Sequence, residues 1–370
     1  MIIILSDSFF DIDFERNVIA RTAIETICQS VSRGEHFVFS SRKLAVKLAA
    51  NSVISKTARG IMEWLRSEYT YIAGLVDKFR YRVEVCAVVE RLERTRGATQ
   101  WKVPIKHIAD YGVRPTVLLA ENTLDGEFYR HAANHFLLQS DFGKTKLKIE
   151  LQNGNGAGIS KELERLAREA TAFCLCVSDS DKQSPDCGCG KNSRDCNGVE
   201  EGTSWVVHHI STFGRELENT IPRNLFAEIA EENSKDEWDD LTARRNLIDR
   251  RSLNFADLKD GLTLEKVFSY VDKSPYKIFW VEQAGKMRGE FKNIKDDCLG
   301  AGECRSKNDC GCVVIPRFGA KVAGNILDKM TKRTPHESYA RSKKSENIDE
   351  WLELGWEVLQ AGVAPPRMRL

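Results

Sequence analysis

Ala172-Phe173-Cys174-Leu175-Cys176-Val177, continuing into Ser178-Asp179-Ser180-Asp181, is the stretch on which the reading of this 370-residue chain turns. An apolar run of strand length that ends in polar turn residues reads as a buried strand of an α/β sheet. Open α/β sheets bind ligands just beyond the carboxyl ends of their strands. Two aspartates separated by one serine at that edge supply two hard oxygen ligands for a divalent cation. A solvated acidic turn is the competing reading, and the choice rests on whether other carboxylates join the pair.

The neighbouring sequence supplies them. Thr116-Val117-Leu118-Leu119-Ala120 is a second apolar run and leads into Glu121, with Asp125 four residues on. Apolar residues recur at helical spacing from Leu124 to Leu138, which puts Glu121 at a strand-to-helix turn. Leu147 to Leu151 reads as a third strand and ends in the turn Asn153-Gly154-Asn155-Gly156-Ala157-Gly158. Residues 160 to 170 read as a charged amphipathic helix, and Ser204 to Ile210 as a further strand after a loop. Strand, helix, strand, helix, strand, long loop, strand predicts a parallel sheet with crossover helices. Glu121, Asp125, Asp179 and Asp181 then converge on one edge.

A glutamate ending one strand, a glycine turn after the next and Asp-x-Asp after a third resemble the TOPRIM domain of topoisomerases, bacterial primases, RNase M5-like enzymes and OLD-type nucleases. The resemblance covers roughly residues 114 to 225. Arg215-Glu216-Leu217-Glu218-Asn219-Thr220-Ile221-Pro222 also resembles a segment of TOPRIM effectors of bacterial anti-phage systems of the PARIS type. One position departs from the pattern: the glycine that usually follows the first glutamate is Asn122, a residue that tolerates left-handed backbone.

The resemblance implies phosphodiester cleavage with Mg²⁺ or Mn²⁺. Such ions stabilise charge on the phosphate, orient it and lower the pKa of an attacking water. Asp179 and Asp181 are the first candidate ligands, with Glu121 as ligand or general base. Asp125 is a candidate for holding a second ion, and Glu218 is either a further ligand or the cap of the helix it begins. The chain has no room for a topoisomerase's strand-passage body and no N-terminal primase zinc ribbon. A nuclease acting on DNA or RNA, as the effector of an anti-phage system and with a partner ATPase or sensor protein, is therefore the expected function. The alternative is a non-catalytic, zinc-stapled TOPRIM module that binds nucleic acid or a protein partner.

Eleven cysteines form a second signal. Cys187, Cys189 and Cys196 lie in one polar loop, residues 186–198, and Cys298, Cys304, Cys310 and Cys312 in another, residues 298–312. Both contain Asp-Cys-Gly-Cys, in surroundings too polar to order themselves by burial. The opening Met1-Ile2-Ile3-Ile4-Leu5 lacks a signal peptide's basic region, so a cytoplasmic location is expected, where structural Zn²⁺ is favoured over disulfides. The second four suggest one tetrahedral site. The first three need a fourth ligand such as His208, His209 or a cysteine of the other loop, and one site shared between the loops fits equally well. Cys28, Cys86, Cys174 and Cys176 read as buried core residues.

The composition is that of a globular protein, 42% hydrophobic and 29% charged, with a formal charge of only +1 that neither supports nor excludes nucleic acid. No run is long enough to cross a membrane. The length predicts two or three domains. Residues 1–113 read as an α/β sensing or interaction domain, 114–225 as the TOPRIM-like catalytic domain and 226–370 as a mainly helical region; a homo-oligomer is compatible with all of this. Asp7, Asp11 and Asp13 resemble the opening of PIN-like nucleases, with no later acids to match. Ile278 to Val281 reads as a strand. Lys329, Lys332, Arg333, His336, Arg341, Lys343 and Lys344 form a basic stretch that suits either a phosphate backbone or solvent.

Overall fold

The computed structural model describes residues 1–94, 99–304 and 311–368. The chain divides into two compact units, one built from Met1–Val177, Asp195–Ile210 and Glu353–Leu370, the other from Ser178–Arg194 and Ser211–Leu352.

The first unit holds two sheets. Ile2–Leu5 (β1), Phe37–Phe39 (β2), Arg82–Cys86 (β3), Glu93–Arg94 (β4) and Gln100–Pro104 (β5) form one, in the order β2-β1-β3-β5-β4. Every pairing is parallel except that of β4 with β5. Ile2, Ile3, Val83, Val85 and Val103 have no or almost no exposed surface, as expected of parallel strands covered on both faces. The helix Val18–Ser32 starts where Asn17 accepts a hydrogen bond from the Ala20 amide, and Ser41 caps Arg42–Ala49 in the same way. These side chains satisfy amides that have no partner inside the helix.

The second sheet has the order β10-β9-β6-β8, with Thr116–Ala120 (β6), Ile149–Asn153 (β8), Cys174–Ser178 (β9) and Val207–Ser211 (β10); Lys146–Leu147 (β7) pairs instead with Val363–Ala364. β6 runs parallel to both β8 and β9, with Ala120 level with Asn153 and with Val177. All five residues of β6 and all five of β9 are buried. Each apolar side chain removed from water there contributes about 1.5–3 kcal/mol before the entropy of ordering it is subtracted. The carboxyl ends of β6 and β8 are joined by the glycine turn: the Gly154 amide donates to Ala120 O at 2.7 Å, and Asn155 and Gly156 follow with φ of 58° and 60°. Asn122 is extended rather than left-handed, with φ −142°, and caps the helix Thr123–Gln139 through its side chain. The absent glycine is thus replaced by a helix cap.

Residues 1–113 share a unit with this sheet. His36 Nε2 lies 2.7 Å from Arg114 O, its ring meets the edge of Phe173, and His107 Nε2 lies 2.7 Å from Ala170 O.

The second unit is mainly helical, with Arg223–Asn233, Lys235–Arg245, Pro275–Lys286 and Val322–Thr331 as its longest helices lying wholly inside it. Leu262–Thr263 pairs antiparallel with Val313–Ile315. Phe226, Trp238 and Phe318 pack ring against ring. Ile278 to Val281 is helical, not a strand: Ser274 caps the helix by accepting from the Lys277 amide and Pro275 occupies its first turn, which pre-sets the helical φ. The basic stretch is partly neutralised inside this unit, because Lys329 pairs with Glu232, and both Arg333 and Arg341 pair with Glu228. Among the described residues no helix is long and apolar enough to cross a membrane.

Gly154 has no room for a side chain, since a Cβ there would lie 2.7 Å from Ile159 Cγ1 and 2.8 Å from Ala120 O. Gly154→Ala is expected to cost about 1–3 kcal/mol, read as a lowered urea midpoint with unchanged slope.

Candidate functional site

Two clusters of chemically capable side chains stand out, one in each unit. That of the second unit is built on the Asp-Ser-Asp segment. The Ser180 amide donates to Thr212 Oγ1 at 3.0 Å and its hydroxyl to Gly214 O at 2.6 Å. Thr212 N–H donates to Ser178 O, and Asp181 N–H to Arg215 O at 2.8 Å. The serine between the aspartates is therefore the buried peg that fixes both, and it locks residues 178–181 against 212–215. Asp181 itself has φ 52°, a conformation that disfavours residues with a Cβ. Gly190 packs directly against its side chain, leaving no space for a Cβ of its own.

The segment locked onto the aspartates carries further charge. Glu216 caps the short helix Leu217–Thr220 in a reciprocal capping box with Asn219. The Asn219 side chain also donates to Leu253 O and Ala256 O, at 2.7 and 2.9 Å, which ties down the stretch leading to Lys259. Lys259 Nζ lies 3.1 Å from Glu218 Oε2 and 3.5 Å from Glu216 Oε2. Arg215 reaches Glu216 at 3.4 Å and Asp257 at 3.2 Å.

The protonation equilibria follow from this crowding. Burial pushes the Asp181 carboxyl up, against the pull of Arg215 and Lys259. Burial also raises Glu216, with Asp257 and Glu218 adding to the rise and the two cations opposing it. Burial disfavours the Lys259 ammonium, yet Glu218, Glu216 and Asp179 outweigh it and hold that group well above its ordinary value. The cluster is thus a set of carboxylates held close together around one lysine.

Of the residues expected to act together, Asp179, Asp181 and Glu218 fall in the second unit, while Glu121 and Asp125 fall in the first. Asp125 is buried at the start of its helix and exchanges hydrogen bonds with Asn122, Asn122 Nδ2 donating to Asp125 Oδ2 at 2.6 Å. Asn122 is the cap, and Asp125 supplies the amide that it accepts from. Glu218 does not cap the helix at its start; Glu216 does. Glu216, Arg215 and Lys259 belong to the same cluster without being among the candidates read from the sequence. The first two sit in the segment already singled out, whereas nothing local marks Lys259.

The first unit's cluster is Cys176, Cys196 and His209, whose ligand atoms all lie within 4.8 Å of one another; it is the one group of three or more Cys, His, Asp or Glu among the described residues that can hold a metal ion in this way. Cys176 Sγ and Cys196 Sγ are 3.9 Å apart and both residues are fully buried. His209 Nδ1 lies 2.7 Å from Asn197 Oδ1, and the His209 amide donates to Glu200 Oε2 at 2.8 Å. Burial lowers His209 to about 4 despite Glu200 beside it, so the ring is neutral. Glu200 pays for its own burial through His208, Arg94 and the His209 amide, which bring it down to about 2.

Cys176 is buried, as predicted, but also belongs to this group. Cys196 sits on the helix Lys191–Gly202 rather than in a loop, and of the two histidines offered as its partner it is His209 that joins it. Cys187, Cys189, Cys298, Cys304 and Cys312 enter no three-ligand group among the described residues, and Cys310 lies outside them. No family model, curated protein or solved structure matches the chain.

Replacing Lys259 by Met leaves Glu218, whose side chain is only 3% exposed, without its cation. The loss is expected at about 1–3 kcal/mol, below the value for a fully buried pair because the lysine is partly solvated. Adding Glu218→Gln should recover part of it in urea unfolding at neutral pH.

Proposed function

We propose that the protein is a metal-dependent nuclease that hydrolyses phosphodiester bonds in DNA or RNA, with Mg²⁺ or Mn²⁺ held at Asp179 and Asp181. The observation that carries this reading is the lock between residues 178–181 and 212–215. It holds two aspartates at fixed positions, one of them in a strained conformation, beside two further carboxylates and a lysine. Strain of this kind persists only where the surroundings over-determine it.

The donor set suits the ion. Mg²⁺ takes one or two carboxylates and fills its remaining positions with water and substrate phosphate, so it has no need of a three-ligand protein cage. Asp179 and Asp181 are the ligands in this reading, and Glu216 and Glu218 are the nearby carboxylates that orient Lys259. When bound, the ion supplies positive charge to the phosphate and acidifies a water. Lys259 adds a fixed positive charge for the phosphate oxygens. The second metal suggested by the cysteines, Zn²⁺, has no step in this chemistry. Membership of a bacterial anti-phage system, with an ATPase or sensor as partner, is the biological setting that the TOPRIM resemblance adds.

The wild-type chain is expected to cut DNA or RNA in Mg²⁺ or Mn²⁺ and to be silent in EDTA. Asp179→Ala and Asp181→Ala should each lower the rate on the order of 10²-fold or more while the far-UV circular dichroism is unchanged. A wild type that binds nucleic acid without cutting it, alone or with candidate partners, would replace this reading by the binding-module one.

A further inference from the structure

We propose that Cys176, Cys196 and His209 bind one Zn²⁺ ion as a structural site inside the first unit, independent of any metal used at Asp179 and Asp181. The three ligand atoms lie within 4.8 Å of one another, and the sulfur spacing suits zinc. In a tetrahedron with Zn–S bonds of about 2.3 Å the sulfurs are about 3.8 Å apart, and the two sulfurs here are separated by 3.9 Å. The three ligands come from a strand, a helix and a neighbouring strand, Cys174–Ser178, Lys191–Gly202 and Val207–Ser211. One ion thus cross-links three elements through ligands that are 13 or more residues apart in sequence.

The surroundings complete the case. Metal-bound histidines donate their other ring N–H to a protein oxygen, which fixes the tautomer and the ring's orientation. Asn197 Oδ1 does this for His209 Nδ1 at 2.7 Å, leaving the lone pair on Nε2, and Glu200 holds the same residue's backbone amide. Asn197 adjoins the ligand Cys196, so one turn of helix supplies both a sulfur and the group that aims the imidazole. Charge also balances. Zn²⁺ with two thiolates and a neutral imidazole has no net charge, which a fully buried position requires. On binding, each thiol loses its proton to solvent and forms a metal–sulfur bond, two protons leaving for one ion. Two soft sulfurs and one nitrogen select Zn²⁺ over Mg²⁺.

The test separates this site from the cysteine-rich segments. The full chain, purified without chelator, should contain about one zinc per chain by mass spectrometry. Serine at Cys187, Cys189, Cys298, Cys304, Cys310 and Cys312 together should leave that ion in place, whereas Cys196→Ala or His209→Ala should remove it. Because those two changes also disturb a packed interior, Asn197→Ala is the gentler probe: all ligands remain, and Zn²⁺ should be held about 10–100-fold more weakly in chelator competition. Co²⁺ put in place of zinc in the wild type should give the charge-transfer intensity of two thiolates. A folded, metal-free wild type that gives no such band overturns the proposal. So does loss of the ion in the six-serine variant, or its retention in Cys196→Ala. An unchanged affinity in Asn197→Ala overturns the role given to that residue. None of these readouts depends on nuclease activity.

Discussion

The register between Thr116–Ala120 and Cys174–Ser178 is the constraint on which the first unit rests. Ala120 lies level with Val177 on one side of the central strand and with Asn153 on the other. A slip of one residue would turn every side chain to the opposite face of the sheet. Cys176, opposite Leu119, would then leave the face on which it meets Cys196. The register is well specified because both strands are buried throughout, and because the Gly154 amide can reach Ala120 O only when the strand ends are level. Packing and the meeting of Cys176 with Cys196 are in this sense set by the same hydrogen bonds.

In the second unit the corresponding constraint is polar. Ser180, Thr212 and Gly214 form a short chain of buried hydrogen bonds, and in a low-dielectric setting such bonds are costly to break one at a time. The carboxylates around Lys259 draw on that rigidity. Like charges at close quarters raise one another's pKa unless a cation intervenes, and here Lys259, Arg215 and Lys266 face Asp179, Asp181, Glu216, Glu218 and Asp257.

Much of the first unit was legible because parallel strands buried on both faces leave continuous apolar runs. Those at 116–120 and 172–177 are unambiguous, and the glycine turn between strands has its own punctuation. The strand assigned to Ile278–Val281 failed for a stated reason: four apolar residues in a row fit a buried strand or one turn of a buried helix. Ser274-Pro275 just before them carries the helix-start signal that decides the matter. The aspartate pair was visible as a motif, but Lys259 was not, since an ion pair spanning some 40 residues leaves no local trace.

The cysteines carry the same lesson further. Asp-Cys-Gly-Cys drew attention to the loops because it is repeated and polar; of the two thiols that meet, Cys196 belongs to the first of those segments, whereas Cys176 lies in a strand and looks like a small apolar core residue. What separates a core cysteine from a ligand is the company it keeps after folding. Cys174 and Cys176 share a strand and a face, yet only Cys176 comes within reach of both Cys196 and His209. Burial raises the Cys176 thiol strongly, and neighbouring Cys196, Cys174 and Glu121 raise it further, so without a cation it stays protonated. A pair of neutral thiols contributes little more than the small apolar residues they resemble. The polar partners around His209, Asn197 on its ring and Glu200 on its backbone, satisfy a buried imidazole and hold it beside the two sulfurs.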